Sequence, residues 1–331
     1  MMERSKPITK THEHMDAHVF FVWLFSIIVA MGILSVALLI NGSDLSGEVF
    51  MQLRLPRVLA AFGVGGLLAL AGVLLQVLLR NPLAEPYMLG AASGASFFVL
   101  LGMLMGASWW ILQGLAFIGA VLVLLLMLLI LTRFRRADGD VTILLLLGVL
   151  LAAVLNAAVS AILLLLPNHV LRGALFWMVG DLSGAGQYYL SIVGVFVCLL
   201  IALPLARPMA AMMRGSLLAH SVGVDVARLR WQLLLLAGLA TSIAVAEAGA
   251  IGFVGLVVPH TVKLCTARLR HFGLRNVMIL CVLWGGILLV AADVLARTVF
   301  LPIELPVGIF TTLVGAPFFA WQLVRRMKGG V

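Results

Sequence analysis

The chain has 331 residues, of which 63% are hydrophobic and only 11% charged, and its mean hydropathy is +1.20. Soluble domains carry about 25% charged residues, and a helix crosses the ~30 Å hydrocarbon layer in roughly 20 apolar residues, so a soluble fold is excluded and an all-α polytopic membrane protein is implied. The formal net charge of +9 then reflects the bias of basic residues toward the cytoplasmic side of a membrane protein rather than a nucleic-acid partner.

Residues 1–18 are polar and read as a cytoplasmic tail. Its His12, Glu13, His14, Asp16 and His18 fit a flexible polar segment better than a metal site. The first apolar run, 19–40, is too long for a signal-peptide core and lacks a cleavage site, so it reads as a span. A second span, 57–79, follows Arg54-Leu55-Pro56-Arg57. Residues 80–90, Arg-Asn-Pro-Leu-Ala-Glu-Pro-Tyr-Met-Leu-Gly, then interrupt the apolar pattern with two prolines. Backbone groups freed by Pro82 and Pro86 need partners in protein or water, which places such a segment beside a cavity or an interface.

Further spans are expected at 88–106, 110–132, 142–166, 190–206, 231–247, 250–267, 277–296 and 307–324, about ten in all with both termini cytoplasmic. Every basic residue except Arg54, Arg57, Arg172 and Arg297 then falls on the cytoplasmic side, and adding or removing one span would destroy that asymmetry. Small residues mark packing seams: Ala61, Gly65 and Ala69 in the second span, Gly90, Gly94, Gly102 and Gly106 in the third, and Ala153, Ala157 and Ala161 in the fifth. Residues 168–184 read as an interfacial amphipathic helix. Residues 207–230 read as two short helices around a turn, with Gly215 and Gly223 flanking Leu217, Leu218 and Ala219. Residues 249–260 form a second glycine-rich break, 296–306 a short one, and 328–331 the cytoplasmic C-terminus. Residues 19–327 make one membrane domain.

A chain that moves solute needs an energy source. Each lysine follows Ser5, Thr9, Val262 or Met327, so there is no Gly-Lys pair for a phosphate-binding loop. Acids lie at span ends rather than at mid-membrane, as a proton- or ion-coupled carrier would require. Asp293 and Arg297 sit four apart, the spacing of a helical ion pair. Glu247, the most isolated acid, is expected at an interfacial or water-filled position. Gln76 and Asn156 are the polar residues deepest in spans, and interhelical hydrogen bonding is their expected role. Cys198, Cys265 and Cys281 have no metal-ligand spacing and read as small buried hydrophobes. Of the outside arginines, Arg54, Arg57 and Arg297 stand at span ends. They suit lipid headgroups, or the carboxylates of a soluble docking protein.

Several motifs carry a family likeness. Arg-Leu-Pro-Arg (54–57), Gly72 to Gln76, Arg-Asn-Pro-Leu-Ala-Glu-Pro (80–86), Gly90 and Gly94 form one group. Gly-Phe-Val-Gly-Leu-Val-Val-Pro-His (252–260), Ala-Asp-Val-Leu-Ala-Arg (292–297), Glu-Leu-Pro-Val-Gly (304–308) and Gly-Ala-Pro-Phe-Phe (315–319) form another. In this order, over roughly 20–327, the chain resembles the permeases of ATP-binding-cassette (ABC) importers for iron chelates (siderophore, haem) and cobalamin. The resemblance implies a type II importer permease that forms a homodimer in the cytoplasmic membrane. Two ATPase subunits, which bind ATP and Mg, attach inside, and a periplasmic or lipid-anchored binding protein delivers substrate outside. It further implies that Arg54, Arg57 and Arg297 meet acids of the binding protein, that Asn81 and Leu83 stand at the cytoplasmic gate, and that 207–230, with Gly215, Leu217, Leu218, Ala219 and Gly223, couples to the ATPase. The chain departs from the family at Ser216 and Leu217, where an acid is usual, and at Lys263, where arginine is common. A single-subunit proton- or sodium-coupled carrier is the competing class.

Overall fold

The structure, a computed structural model, describes residues 9–40, 47–133, 141–184, 188–267, 269 and 272–328. The described residues form helices and connections with no strand. In chain order these are α1 (Thr9–Leu39), α2 (Phe50–Leu78), α3 (Ala91–Leu104), α4 (Trp109–Arg133), α5 (Val141–Leu165), α6 (Asn168–Val179), α7 (Tyr188–Met213), α8 (Ser216–Ser221), α9 (Val226–Ala248), α10 (Val254–Thr266), α11 (Leu274–Thr298) and α12 (Val307–Lys328). Seven of them are long and apolar enough to span a membrane, and α3, α10 and the apolar part of α12 are shorter. The three short ones lie where the sequence predicts spans, so the ten expected apolar helices are all present.

The bundle is organised around α2. Its apolar stretch is 89% buried, against 11% for α1 and 17% for α5, and it packs on α7, α9, α10 and α11. Hydrophobicity does not drive association inside lipid, so the packing must come from close backbone approach. A methyl group on Gly65 would overlap the carbonyl of Gly285 on α11, and one on Gly72 would overlap the carbonyl of Gly255 on α10. The expected Ala61–Gly65–Ala69 seam is real, and Gly94 meets Gly119 of α4 in the same way.

Other expectations change. Gly106 turns the chain between α3 and α4 at φ +72° with open space around it, so it packs against nothing. Ala153, Ala157 and Ala161 are exposed on the protomer surface together with Asn156 and Ser160. The buried edge of α5 instead carries Gly148, Val159 and Ile162. Residues 9–18 of the expected tail are helical and continuous with the first span. A helical turn over Gly47–Val49 and a π-turn over Phe50–Arg54 lead without a break into the α-helical part of α2, so Arg54 and Arg57 lie within the helix rather than before it. Pro56 stands where the π-turn gives way to the α-helix, a step at which the regular ladder of backbone hydrogen bonds is already interrupted.

Residues 207–230 contain one short helix, not two. Helix α7 runs on through Pro204 and Pro208 to Met213, because Ala206, Met209 and Met212 continue the buried stripe at three-residue spacing.

The two sequence breaks enter the bundle. After Leu78 the chain turns at Arg80 (φ +48°) and climbs back. A Cβ added to Gly255 would meet both the Pro86 ring and the carbonyl of Leu68. Pro86 therefore lies at the level of residues 68–72, while the end of α2 is about six residues, or roughly 9 Å, further along. This re-entry shortens α3. Its counterpart, residues 249–253, shortens α10.

Candidate functional site

One end of the bundle holds a charge network between α2, α11 and the loop before α12. Arg57 Nε donates to Asp293 Oδ1 at 2.9 Å, and its Nη1 donates to Glu304 Oε2 at 2.8 Å. Arg297 Nε lies 3.0 Å from Asp293 Oδ2, but its N–H is directed at the backbone carbonyl of Asp293 at 3.4 Å. Asp293 is fully buried, whereas the Glu304 side chain is 47% exposed. Arg54, half-buried, donates to the carbonyl of Leu38 at 3.2 Å, and Arg297 reaches the carbonyl of Ala37 at 3.5 Å. The arginines thus staple the end of α1 to α2 and α11. The three arginines singled out in the sequence do converge, and the predicted Asp293–Arg297 pair forms. Glu304 joins them without a helical spacing to announce it, although an acid on a face so rich in arginine is itself a signal.

The two re-entrant breaks meet. Glu85 Oε1 accepts the Phe253 N–H at 2.6 Å, which caps the first turn of α10, where backbone donors are otherwise unpartnered. Phe253 has φ +70°, an uncommon conformation for a side chain of its size. Asn81 Oδ1 accepts the Leu83 N–H at 2.9 Å, and the Asn81 carbonyl accepts from Ala84 at 3.2 Å. Asn81 therefore shapes the turn, while Leu83 stays half-buried beside it. Below the junction, Gln76 donates to the Leu256 carbonyl at 3.5 Å and accepts from Lys263 Nζ at 2.9 Å. That is the interhelical role expected of Gln76.

Two polar residues behave differently from expectation. Glu247 is 2% exposed, and its carboxylate accepts from the Ser191 N–H at 2.9 Å and its hydroxyl at 3.0 Å. It stands at the end of α9 and caps the first turn of α7, served by protein rather than by water, because that turn supplies the donors a carboxylate needs. Asn156 faces outward and its side chain has no hydrogen bond within the protomer among the described residues. Of the cysteines, Cys198 and Cys281 are buried as expected, and Cys265 is exposed.

At the end of the bundle opposite the charge network, Gly215 and Gly223 take φ values of +136° and +81° and bracket α8. Ala219 is fully buried against the bundle, while Leu217 is 87% exposed and Leu218 47%. Asp225 then caps α9 by accepting the Arg228 N–H at 3.0 Å. Leu217 and Leu218 thus stand as an exposed apolar pair beyond the last turn of the spans.

A model of the FecCD transport family matches residues 18–325. The chain belongs to this family. It is 38% identical over 288 residues to the vitamin B12 import system permease protein BtuC of Vibrio cholerae, covering 86% of this chain and 85% of that protein. It is 36% identical over 295 residues to the hemin transport system permease protein HmuU of Yersinia pestis, covering 86% of each. Among solved structures, an inward-facing metal-chelate type ABC transporter aligns with a TM-score of 0.80 and 29% identity over 91% of this chain and 97% of that one. The FecCD chain is therefore a multi-pass permease subunit of a type II ABC importer, and the proton- or sodium-coupled carrier reading falls away. Its class implies an ATPase and a binding protein as partners.

Proposed function

We propose that this permease carries an iron-siderophore, haem or cobalamin-type chelate across the cytoplasmic membrane, with both termini inside. It works as a homodimer with two cassette ATPase subunits that hold ATP and Mg, and with a periplasmic or lipid-anchored binding protein. The observation that carries the reading is the family match from residue 18 to residue 325, with vitamin B12 and hemin permeases among the relatives. The protomer itself favours a path between two copies. Helix α2 fills its axis, whereas the small, polar Asn156 face of α5 has no cover.

On this reading Arg54 and Arg57 form the outer docking face, while Arg297, expected there from the sequence, is buried behind them against Asp293 and supports the face rather than meeting the partner; Asn81 and Leu83 stand at the inner gate. The α8 segment, from Gly215 through Leu217, Leu218 and Ala219 to Gly223, seats on the ATPase. ATP closure of the ATPase pair would favour one arrangement of the coupling segments and the gate, and the loaded binding protein the other.

Proteoliposomes holding the permease, a cassette ATPase and a binding protein from the same genome test this. Cyanocobalamin, haemin and a ferric siderophore are offered in turn. ATP-dependent accumulation of one of them is expected. Accumulation without ATPase, driven by an ion gradient, would overturn the reading.

A further inference from the structure

We infer that Glu304 is an internal stand-in for a partner carboxylate, occupying Arg57 until the binding protein displaces it. The inference rests on the docking role proposed for Arg57. It comes from how the guanidinium is shared.

A guanidinium grips a carboxylate best through two parallel N–H groups, along either its Nε/Nη2 edge or its Nη1/Nη2 edge. In Arg57 each edge already has one nitrogen committed, Nε to Asp293 and Nη1 to Glu304. An incoming carboxylate can therefore take Arg57 in two-point geometry only by releasing one resident.

The two residents are not equivalent. The Asp293 side chain is 1% exposed and also lies 3.0 Å from Arg297 Nε, so releasing it would strand a buried charge. The Glu304 side chain is 47% exposed, and its one hydrogen bond among the described residues is to Arg57. It stands on the short connection between α11 and α12, whose backbone is pinned by the Leu305 N–H to the Ala296 carbonyl at 3.1 Å. The side chain can thus swing into water without moving the helices. Asp293 is the fixed partner that orients Arg57, and Glu304 is the exchangeable one.

This arrangement keeps Arg57 paired and aimed in the free transporter, and makes docking an exchange of one carboxylate for another. The binding protein that supports uptake in the reconstitution is the probe. Glu304→Gln removes the competing charge and should tighten docking to nanodisc-held transporter by about two- to five-fold, the scale of a half-exposed ion pair.

Removing any acid from an arginine-rich face could raise affinity through the field alone, so the decisive comparison is a double-mutant cycle. In an Arg57→Ala background, Glu304→Gln should have no effect on docking. An undiminished gain there would overturn the inference. A second arm needs no partner: phenylglyoxal modification of Arg57, followed by peptide mass spectrometry, should run several-fold faster in Glu304→Gln than in wild type. Equal rates would overturn the inference. Faster modification with no change in an Arg57-dependent docking would also overturn it, while leaving the docking role intact. Docking that ignores Arg57 altogether would remove the docking role and the inference together.

Discussion

Replacing Asp293 by alanine removes the one acid shared by Arg57 and Arg297, and the structure sets the size of the loss. Arg57 keeps Glu304 at 2.8 Å, so most of its charge stays compensated. Arg297 is 8% exposed, and among the described residues its remaining hydrogen bonds are to the Ala37 carbonyl at 3.5 Å and the carbonyl of residue 293 at 3.4 Å. Breaking a buried pair by removing one partner costs about 3–5 kcal/mol. With one arginine rescued, the lower end applies, so Asp293→Ala should lose about 3 kcal/mol. Asp293→Asn retains an acceptor and should lose less. Because the loss is an uncompensated charge rather than a lost attraction, Asp293→Ala with Arg297→Met should recover to within about 1 kcal/mol of wild type. Equilibrium denaturation in mixed micelles, followed by tryptophan fluorescence, measures these three variants and the Arg297→Met single. If Asp293→Ala unfolds within about 0.5 kcal/mol of wild type, or the double variant loses the sum of the two single losses, the buried-charge reasoning is wrong.

Gly72→Leu should disrupt the α2–α10 contact, since even a methyl would overlap the Gly255 carbonyl. The cost is about 1–3 kcal/mol or more, read as a lowered melting temperature, while Gly32→Leu, with nothing within 4 Å, should melt like wild type. Glu85→Ala removes the cap on α10 and should cost about 0.5–2 kcal/mol by the same measurement, with Glu85→Gln recovering part of it. Leu217→Glu with Leu218→Glu should leave stability within about 0.5 kcal/mol, as surface changes do, while abolishing co-purification with the cassette ATPase. Retained ATPase binding would remove α8 from that interface.

The sequence shows the spans because an apolar helix in lipid has to be long and nearly uncharged, and that pattern is local. It also shows the breaks at 80–90 and 249–260, since proline and glycine interrupt helices wherever they stand. What it hides is depth. Tyr87, Met88 and Leu89 are as apolar as the helix that follows, so the third span is drawn through a turn that in fact re-enters the bundle. Likewise Arg207 reads as the end of a span, yet the buried stripe of Ala206, Met209 and Met212 carries α7 past it. Partners distant in sequence are hidden too. Arg57 meets Glu304, and Glu85 meets Phe253, across more than half the chain. Spacing alone reveals the Asp293–Arg297 pair, because four residues on one helix are neighbours. Recurring small residues read as seams in the second, third and fifth spans. That holds for Gly65 and Gly94, and not for the alanines of α5, because a seam needs a facing helix and this protomer supplies none.

That uncovered face leads to a last test. Asn156 lies at the middle of the apolar window Leu146–Leu165, exposed beside Ala153, Ala157 and Ser160. If lipid covers the face, the amide lacks water and partners, a cost of about 1–3 kcal/mol on scales drawn from protein variants. Asn156→Leu should then stabilise the protein by that amount and leave uptake alone. If the face lines a path between two copies, water already serves the amide. The same substitution should then change stability by less than about 0.5 kcal/mol while slowing ATP-driven uptake. Melting temperature in nanodiscs and initial uptake rate, measured on one preparation, separate the two cases. A stabilised variant with normal transport would move the path elsewhere. The converse would place it along α5, because the filled axis of α2 leaves a solute no passage inside the protomer.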